Sequence, residues 1–436
     1  MLDIKLIRDD PGEIKRRLEI RGADCSGLIA DLIGADSRRR ELISETENAK
    51  SEQNRISKLI PELKKAGDDL SLTMERLNAI KDGLRRSEAE LKTAEAEYAD
   101  LMLRLPNLPD EDLAGGGKEN NEPLRYGGEE RVFDFEPADH VALCDRLGLV
   151  DYERGAKIAG SGWWIYRGPG ARLELAMLNY FIDFHIADGC ELVLVPLMLE
   201  YSCGVTSGQF PKFSDEVFKI ENPVDSRTHF MLPTAETALV SLYRGETLAE
   251  SELPKKLVSV TPCFRREAGS YRSDERGMIR GHQFNKVEMV RYTKPEDSDA
   301  AFGELVSNAE ALVKGLGLRF RTVKLAAGDC SASMARTYDI EVYIPSMNGY
   351  KEASSVSNAR DYQARRGGMR FKRRETGKTE FMHTLNGSGL ATSRLLPALV
   401  EQNQRKDGSV AIPEVLAKYM GGAEVIYPPA GGEQKI

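Results

Sequence analysis

The amino-acid sequence predicts an α+β protein in which an N-terminal antiparallel two-helix coiled-coil arm precedes a larger domain of mixed strands and helices. Three observations lead to this prediction: a heptad repeat of apolar residues over 28–105, a join over 105–131 that is rich in Pro, Gly, Glu and Asn, and shorter strand-like and helix-like patterns over 132–436. A chain of 436 residues is also long for a single hydrophobic core. We therefore expect an N-terminal domain at 1–110, a linker at 111–131 and a second domain at 132–436.

The arm is predicted from two runs of apolar residues that recur at every seventh position. The runs are Leu28, Ala35, Leu42, Ala49, Ile56 and Leu63, and then Leu70, Leu77, Leu84, Leu91, Tyr98 and Leu105. Residues 66–69 interrupt them with a Gly, and two helices joined by a short turn bury such seams only by folding back antiparallel. At ~1.5 Å per residue each helix is about 55 Å long. We expect the hairpin to project, with Pro61 ending or kinking its first helix.

Composition and charge narrow the class of protein. Hydrophobic residues make up 41% and charged residues 30% of the chain, as in a globular protein with an unusually charged portion. The net charge of -8 argues against non-specific coating of nucleic acid but allows a local basic face. The six cysteines form no Cys-x-x-Cys pair, so we expect free thiols. The charged N-terminus lacks the apolar core of a signal peptide, and a cytoplasmic protein is expected.

A charged hairpin is predicted between residues 261 and 290. The segments 261–267 and 282–290 have strand-like patterns, and a polar loop at 270–277 separates them. Because residues two apart share a face of a strand, a guanidinium, two carboxylates, an ammonium and an aromatic ring are expected on one face: Arg265, Glu267, Phe284, Lys286 and Glu288. Taken alone, the hairpin could equally be a solvated edge that carries charge against aggregation.

Residues 264–288, FRREAGSYRSDERGMIRGHQFNKVE, resemble the second signature motif of class II aminoacyl-tRNA synthetases. The HQFNKVE return strand is similar to that of seryl-tRNA synthetases in particular. Three further stretches match in the expected order: LPTAE at 232–236, KEASSVSN at 351–358, and TLNGSGL at 384–390 followed by Arg394. Together with the arm, the resemblance spans essentially the whole chain. It implies a tRNA-binding domain at 1–110 and a class II catalytic domain at 132–436, with a mainly antiparallel sheet flanked by helices.

The resemblance implies a serine--tRNA ligase, which forms seryl-adenylate from L-serine and ATP and transfers the seryl group to the 3′ end of tRNA(Ser). ATP is then a substrate and Mg²⁺ its companion ion. No zinc is expected, because no His, Cys or Glu set has zinc-ligand spacing. One alternative is a paralogue that serves a non-tRNA acceptor or is a second or resistance copy. Another, of a different class, is a catalytically inactive RNA-binding regulator.

Adenylate formation requires positioning and neutralisation of phosphate charge more than proton transfer. We expect Arg265, Arg394 and Glu352 to be the catalytic residues. Arg265 can bind the substrate carboxylate and the α-phosphate at once, and Arg394 would grip the γ-phosphate. Glu352 and Ser355 offer hard oxygen ligands to Mg²⁺.

The resemblance also implies the binding residues for each substrate. Thr234 and Glu236 would take the ammonium of serine, and Glu288 and Ser388 its hydroxyl group. The serine set is Thr234, Ala235, Glu236, Arg265, Glu288 and Ser388. Phe284 would stack on adenine, and Glu267 would accept from its exocyclic amine. The ATP set is Arg265, Arg266, Glu267, Gly281, Phe284, Glu352, Ala353, Ser354, Ser355 and Arg394.

Two further parts of the chain have expected partners. In the family that the chain resembles, the arm reads the long variable arm of serine tRNA by shape and backbone, and this arm carries many basic side chains. An amphipathic helix over 172–188 and a buried strand over 191–200 resemble the first class II motif, which builds a dimer interface, so a homodimer is expected. The atypical stretches 203–205 and 272–273 receive no role.

Overall fold

The structure is a computed structural model that describes residues 1–22, 24–223, 225–267 and 277–429. Most of the predicted loop at 270–277, including the atypical residues 272–273, lies outside the described residues. The chain divides into two compact units, which we describe separately. The first consists of Leu2–Glu19 and Ala23–Pro106, and the second of Met1, Ile20–Gly22 and Asn107–Ile436.

The first unit is helical, and two of its helices form the predicted arm. Its helices are α1 (Ile4–Asp9), α2 (Pro11–Glu19), α3 (Ser26–Ala66) and α4 (Ser71–Arg104). Gly67 ends α3 in the left-handed conformation (φ 78°), and its N–H turns back to the carbonyls of Leu63 and Lys64. Pro61 lies inside α3, and the helix continues to Ala66, so the expectation that it ends at Pro61 is wrong.

The two long helices are antiparallel. Later residues of α3 pair with earlier residues of α4: Arg38 with Glu90 at 2.7 Å, Lys50 with Glu88 at 2.9 Å, and Glu52 with Arg76 at 2.8 Å. The predicted heptad positions supply the seam, which includes the buried side chains Ala35, Leu42, Ile56 and Leu77 and the half-buried Leu28, Leu84 and Leu91. These contacts confirm the coiled-coil arm, because only antiparallel helices bring both runs of apolar residues together.

A buried carboxylate interrupts the apolar seam of the arm. Asp36 is 1% exposed and lies 3.5 Å from Nη1 of Arg8 on α1 and 3.1 Å from Nη2 of Arg39 on α3. The guanidinium of Arg39 also lies over the ring of Tyr98 on α4, 4.4 Å from its centroid. Guanidinium groups from α1 and α3 therefore compensate the charge of Asp36, and that of Arg39 also contacts α4.

The second unit is built on one large sheet. The strands are β1 (Glu122–Gly127), β2 (Val150–Asp151), β3 (Ile165–Tyr166), β4 (Glu191–Leu192), β5 (Met198–Glu200), β6 (His229–Met231), β7 (Thr247–Ala249), β8 (Lys255–Phe264), β9 (Gln283–Thr293), β10 (Phe320–Lys324), β11 (Arg336–Ile344), β12 (Gly349–Arg360), β13 (Arg370–Lys372), β14 (Thr379–Phe381), β15 (His383–Ala391), β16 (Val410–Ala411) and β17 (Val425–Ile426). Eight of them form the sheet, in the order β1-β10-β11-β12-β15-β9-β8-β4. Every neighbouring pair is antiparallel except β4 and β8, as the mainly antiparallel prediction requires.

Helices flank this sheet. They are α5 (His140–Arg146), α6 (Tyr152–Ala159), α7 (Gly168–Ala187), α8 (Tyr201–Ser207), α9 (Ala235–Leu239), α10 (Ser298–Gly315), α11 (Tyr362–Gly367), α12 (Thr392–Gln402) and α13 (Glu414–Ala417), with short 3₁₀ turns at Lys118–Asn120, Glu250–Glu252, Pro295–Asp297, Pro345–Met347 and Lys418–Met420. Apolar side chains of α7, α10 and α12 pack with those of the central strands in one large core. The segment 111–131, expected to be a linker, contains strand β1 at the edge of the sheet.

The region that resembles the first class II motif differs from the prediction in where its helix begins and in the form and burial of its strand. Helix α7 begins at Gly168, four residues before the expected start, and the expected buried strand over 191–200 consists of two short strands, β4 and β5. Pro196 lies between them and cannot donate a ladder hydrogen bond. Half of the side chains in this segment are exposed, and Leu194 is 76% exposed. Among the residues that the structure describes, no helix is both long and apolar enough to span a lipid bilayer.

Candidate active site

The charged hairpin is formed by β8 and β9, which pair antiparallel. The first strand was expected to run to Glu267, but β8 ends at Phe264. Glu267 adopts a left-handed backbone (φ 51°), which cannot continue an extended strand. Arg265 still follows the hairpin, because its N–H donates to the carbonyl of His282 at 2.9 Å. Four of the five predicted side chains then line one cavity: Arg265, Glu267, Phe284 and Lys286.

A cavity of about 420 Å³ brings together residues from all four quoted motifs. We call it the acid pocket, and its polar lining includes Thr234, Glu236, Arg265, Lys286, Glu288, Glu352, Ser355, Asn386 and Ser388. Thr234 caps helix α9, and its Oγ1 accepts from the N–H of Glu236 at 3.3 Å. Ser388 lies opposite Glu288 in the register of β15 and β9. Local structure thus places Thr234 beside Glu236, and Ser388 beside Glu288.

Two buried carboxylates form the floor of the acid pocket. Glu236 is 7% and Glu288 1% exposed, and Nδ2 of Asn386 donates to both at 3.2 Å. Glu236 also accepts from Nε2 of Gln363 at 2.9 Å, and the hydroxyl of Thr384 donates to the side-chain oxygen of Gln363 at 2.7 Å. Burial, together with the charge of Glu288, raises the pKa of Glu236 to about 7. The two buried carboxylates therefore favour binding of a cationic group in the pocket.

Lys286 places an ammonium group inside this acidic site. It is 6% exposed, forms an ion pair with Glu288, and donates to Oγ1 of Thr234 at 2.8 Å. The hydroxyl of Thr234 in turn donates to Glu288 at 3.4 Å. Lys286 lines the acid pocket and also the neighbouring cavity, so it stands where the two meet.

The neighbouring cavity, which we call the basic pocket, shares five lining residues with the acid pocket: Arg265, Glu267, Lys286, Glu352 and Ser388. It is also lined by Arg280, Gly281, Phe284, Ala353 and Arg394. The guanidinium of Arg265 lies 5.2 Å from the centroid of the Phe284 ring. Arg280 pairs with Glu267 at 2.5 Å. A Cβ at Gly281 would overlap the indole ring of Trp164, so this wall of the pocket requires glycine.

Glu352 and Ser355 reach the same cavity through an irregularity in β12. In a regular strand, residues three apart point to opposite faces. Here Glu352 and Ser354 oppose consecutive residues of β11, which leaves Ala353 without a partner, as in a β-bulge. The extra residue resets the alternation, and both Glu352 and Ser355 line the acid pocket.

The charges around Glu352 favour its ionised form. Enclosure in the cleft alone would raise the pKa of Glu352, but the guanidinium groups of Arg394 and Arg265 outweigh it and lower the pKa. Nη1 of Arg394 lies 3.2 Å from Oε2 of Glu352 and donates to its carbonyl at 2.8 Å. The pKa of Asp339, which pairs with Ser355 from strand β11, is shifted in the other direction. Burial and then the charge of Glu352 hold this pKa well above the usual range.

Three predicted residues point elsewhere. Ala235 lies between Thr234 and Glu236, but its side chain packs in a hydrophobic cluster under α9. The hydroxyl of Ser354 donates to the carbonyl of Ser388 at 2.5 Å and ties β12 to β15. The guanidinium of Arg266 donates to the carbonyl of Asp215 at 2.8 Å and is exposed. These three residues support the cavity walls, and their side chains do not line either pocket.

Four site residues were missed as ligands or supports by sequence reasoning. Lys286 carries a signal, because it alternates with Phe284 and Glu288 on β9. Asn386 belongs to the quoted stretch 384–390, which lies within strand β15, but no role was expected for its side chain. Gln363 and Asp339 have no recognisable signal, since each reaches the site only through tertiary packing. The predicted core ligands are nonetheless brought together.

Two family models match the chain. One, described as the seryl-tRNA synthetase N-terminal domain, matches residues 1–109. The other, described as the tRNA synthetase class II core domain (G, H, P, S and T), matches residues 218–403. The two matches cover the arm and all four of the motifs quoted above.

Individual relatives match nearly the whole chain. A protein named serine--tRNA ligase 2 from Clostridium acetobutylicum is 55% identical over 97% of this chain and 99% of its own length. A crystal structure of seryl-tRNA synthetase from Pyrococcus horikoshii complexed with ATP superposes with a TM-score of 0.91 and 32% identity, covering 98% of this chain and 100% of that one. A cytoplasmic serine-tRNA ligase from Naegleria fowleri in complex with AMP gives a TM-score of 0.84 and 30% identity over 98% and 99%. With both its arm and its converging class II motifs accounted for, the chain belongs to the seryl-tRNA synthetase family of class II aminoacyl-tRNA synthetases.

Proposed function

We propose that this chain is a serine--tRNA ligase, which activates L-serine with ATP to seryl-adenylate and transfers the seryl group to the 3′ end of tRNA(Ser). The observation that carries the proposal is the meeting of Thr234, Glu236 and Glu288 in one pocket beside the guanidinium of Arg265. The full-length relatives named serine--tRNA ligases, and the ATP and AMP complexes of two of them, support it.

The acid pocket suits the polar groups of serine. Glu236 and Thr234 take the ammonium group, and Glu288 with Ser388 takes the hydroxyl group. Buried carboxylates are costly without partners, and serine supplies one for each. Arg265 at the rim holds the carboxylate of the amino acid. A site built around that hydroxyl should reject alanine by on the order of 10⁴, because alanine would leave its polar groups unpaired.

The basic pocket suits ATP. Phe284 offers a face for adenine, and Glu267 accepts from the exocyclic amine. The small residues Gly281 and Ala353 leave space for ATP along the walls of the pocket. Arg265 would bind the α-phosphate and Arg394 the γ-phosphate. Because Arg265 lines both pockets, one guanidinium can hold the attacking carboxylate and the α-phosphate together.

Mg²⁺ fits the oxygen donors on β12. Glu352 is held in its ionised form by Arg394 and Arg265, and the bulge places Ser355 on the same side. The described residues include no cluster of three or more His, Cys, Asp or Glu side chains placed for a metal, so phosphate oxygens and water would complete the coordination. When bound, the ion neutralises phosphate charge.

The chemistry requires positioning more than proton transfer. The carboxylate of serine is already ionised at neutral pH and attacks the α-phosphorus, and pyrophosphate leaves. Arg265 aligns the reacting groups, and Arg394 stabilises the departing phosphates. The terminal ribose hydroxyl of tRNA(Ser) then attacks the carbonyl carbon of seryl-adenylate, and AMP leaves.

The arm is the proposed reader of tRNA(Ser). Several of its basic side chains form ion pairs within the arm, but others are exposed and have no ion pair in the described part of it: Arg40, Lys58, Lys64, Lys65, Lys81, Arg85 and Arg86. Such side chains suit the phosphates of helical RNA. We therefore assign tRNA binding to the domain at 1–110 and catalysis to that at 132–436, with 111–131 between them.

A second copy of this chain is the proposed partner of α7 and the segment that follows it. Exposed apolar side chains recur there: Leu175, Ile186, Leu192 and Leu194 are 60%, 46%, 40% and 76% exposed. An apolar group of this kind favours association.

We place the homodimer in the cytoplasm, because all six cysteines are free thiols.

Two alternatives make different predictions for the same assay. A paralogue with a non-tRNA acceptor would exchange pyrophosphate with ATP on a small amino acid yet leave tRNA uncharged. An inactive RNA-binding protein would show no exchange, although the convergence of the core ligands around one cavity argues against it. Charging of total tRNA with a panel of amino acids separates all three.

The central experiment is serine-dependent ATP–pyrophosphate exchange. We expect robust exchange with serine, and a loss of at least about a hundredfold in Arg265→Ala and Glu288→Ala, because each removes a charged contact to the reacting amino acid. Arg154→Ala is a matched control, since that guanidinium pairs with Asp151 away from both pockets. Equal or better exchange with glycine or alanine would contradict the assignment to serine.

A further inference from the structure

The acid pocket contains more negative charge than its own cation balances. Glu236 and Glu288 share the amide of Asn386 at 3.2 Å on each side, and both are almost fully buried. Two enclosed carboxylates this close tend to keep one proton between them unless a cation intervenes. A protonated Glu236 would make a poor partner for the ammonium of an amino acid.

Lys286 is the cation that intervenes. Its ammonium forms an ion pair with Glu288 and a 2.8 Å hydrogen bond to Thr234. That bond occupies a lone pair of the Thr234 oxygen, so the hydroxyl hydrogen is directed to Glu288 at 3.4 Å. One side chain thus neutralises the first carboxylate and orients the hydroxyl group that caps α9.

We propose that Lys286 is a positioning residue whose charge favours the ionised form of Glu236 before serine arrives, so that Glu236 is available to the incoming ammonium group. This inference rests on the proposed function, but it concerns the empty site. Lys286 neutralises Glu288 permanently, and the substrate then neutralises Glu236. In the filled pocket, the ammonium groups of Lys286 and of serine face the carboxylates of Glu288 and Glu236.

The groups that face Glu236 support this division of roles. From β9 come Glu288 and Lys286, from the end of β8 comes Arg265, and Gln363 of α11 and Asn386 of β15 contribute neutral amides. Burial and Glu288 raise the pKa of Glu236 to about 7, while Lys286, Gln363 and Arg265 lower it. Without the Lys286 charge, the pKa of Glu236 should lie above 7, and the residue should be protonated at neutral pH.

The test compares Lys286→Gln, which keeps a donor for Thr234, with Lys286→Arg, which keeps the charge. Dissociation constants for serine are measured by calorimetry between pH 6.5 and pH 8.5. At pH 7 we expect at least a tenfold weaker affinity in Lys286→Gln and about threefold or less in Lys286→Arg. The affinity of Lys286→Gln should recover toward that of the unmodified protein as the pH rises, because Glu236 then loses its proton. Lys256→Gln, on the adjacent strand and paired with Glu304, is the control.

An infrared titration of the empty proteins separates this inference from the proposed function. At pH 7, Lys286→Gln should show a stronger protonated-carboxyl band than the unmodified protein, and this increase should be absent when Lys286→Gln is introduced into a Glu236→Gln background. This readout does not depend on serine, so it remains decisive even if the unmodified protein binds no serine. A pH profile of serine affinity for Lys286→Gln that is parallel to that of the unmodified protein, or the absence of any increase in the carboxyl band, would overturn the role of Lys286.

Discussion

Replacement of Glu174 with Gln should stabilise the second unit at pH 8 much more than at pH 5. Glu174 lies on α7 with its side chain 3% exposed. Its Oε1 accepts from Thr392 at 2.6 Å and from Asn285 at 2.8 Å, while Oε2 has no hydrogen-bond partner among the described residues. Burial raises the pKa of this carboxyl to about 7, although the bonds from Thr392 and Asn285 oppose the rise.

The direction of the effect follows from proton linkage. In the unfolded chain the carboxyl loses its proton near pH 4.5, whereas in the folded protein it keeps the proton to about pH 7. The free energy of unfolding is therefore undiminished below pH 4.5 and falls as the pH rises to about 7. The full loss is about 3 kcal/mol. An amide at this position does not titrate, so Glu174→Gln should avoid the loss.

Urea unfolding at several pH values, followed by tryptophan fluorescence, measures the effect. Both tryptophans of the chain, Trp163 and Trp164, belong to the second unit. The gain in unfolding free energy from Glu174→Gln should be about 2.5 kcal/mol larger at pH 8 than at pH 5. Glu129→Gln, at an exposed position, controls for the loss of one acidic group. A gain that does not change between the two pH values would refute the reasoning.

Two further predictions concern partners. Lys81→Glu with Arg85→Glu should raise the KM for tRNA(Ser) at least about tenfold and flatten its dependence on salt, because two phosphate-binding charges are reversed, while serine-dependent pyrophosphate exchange stays unchanged. Lys406→Glu, on the surface of the second unit, should leave the KM for tRNA unchanged, and a normal KM in the arm variant would contradict the role of the arm. Leu194→Asp should shift the protein from dimer to monomer in light scattering, because it introduces a charge into the exposed apolar group, whereas Leu72→Asp on α4 should not. A dimer that persists in Leu194→Asp would place the interface elsewhere.

The arm and the core ligands could be predicted because each has a local signal. The heptads mark α3 and α4, and alternation along β9 places Phe284, Lys286 and Glu288 on one face. The turn at Gly67 was equally visible. Such patterns survive folding because they repeat over many residues, or because a single glycine is needed for a left-handed backbone.

Other features depend on contacts that no local pattern records. The spacing of Glu352 and Ser355 argues for opposite faces of a strand, and only the bulge at Ala353 reconciles it with a shared site. Gln363 reaches Glu236 from a helix 127 positions away. The strand ending at Phe264 reflects the backbone of Glu267, a residue type that does not usually adopt a positive φ.

The carboxylate of Asp36 has a consequence for how the two long helices align. A slip of α3 by one turn against its neighbours would separate this acid from Arg8 and carry Arg39 away from Tyr98. A buried charge deprived of its partners costs several kcal/mol, whereas leucines and alanines tolerate many alignments. The apolar seam thus holds the two helices together, and the ionic cluster around Asp36 selects their alignment. That alignment in turn fixes the position of the turn at Gly67. Transplanting this hairpin onto another enzyme would therefore require moving Arg8, Asp36, Arg39 and Tyr98 as a set.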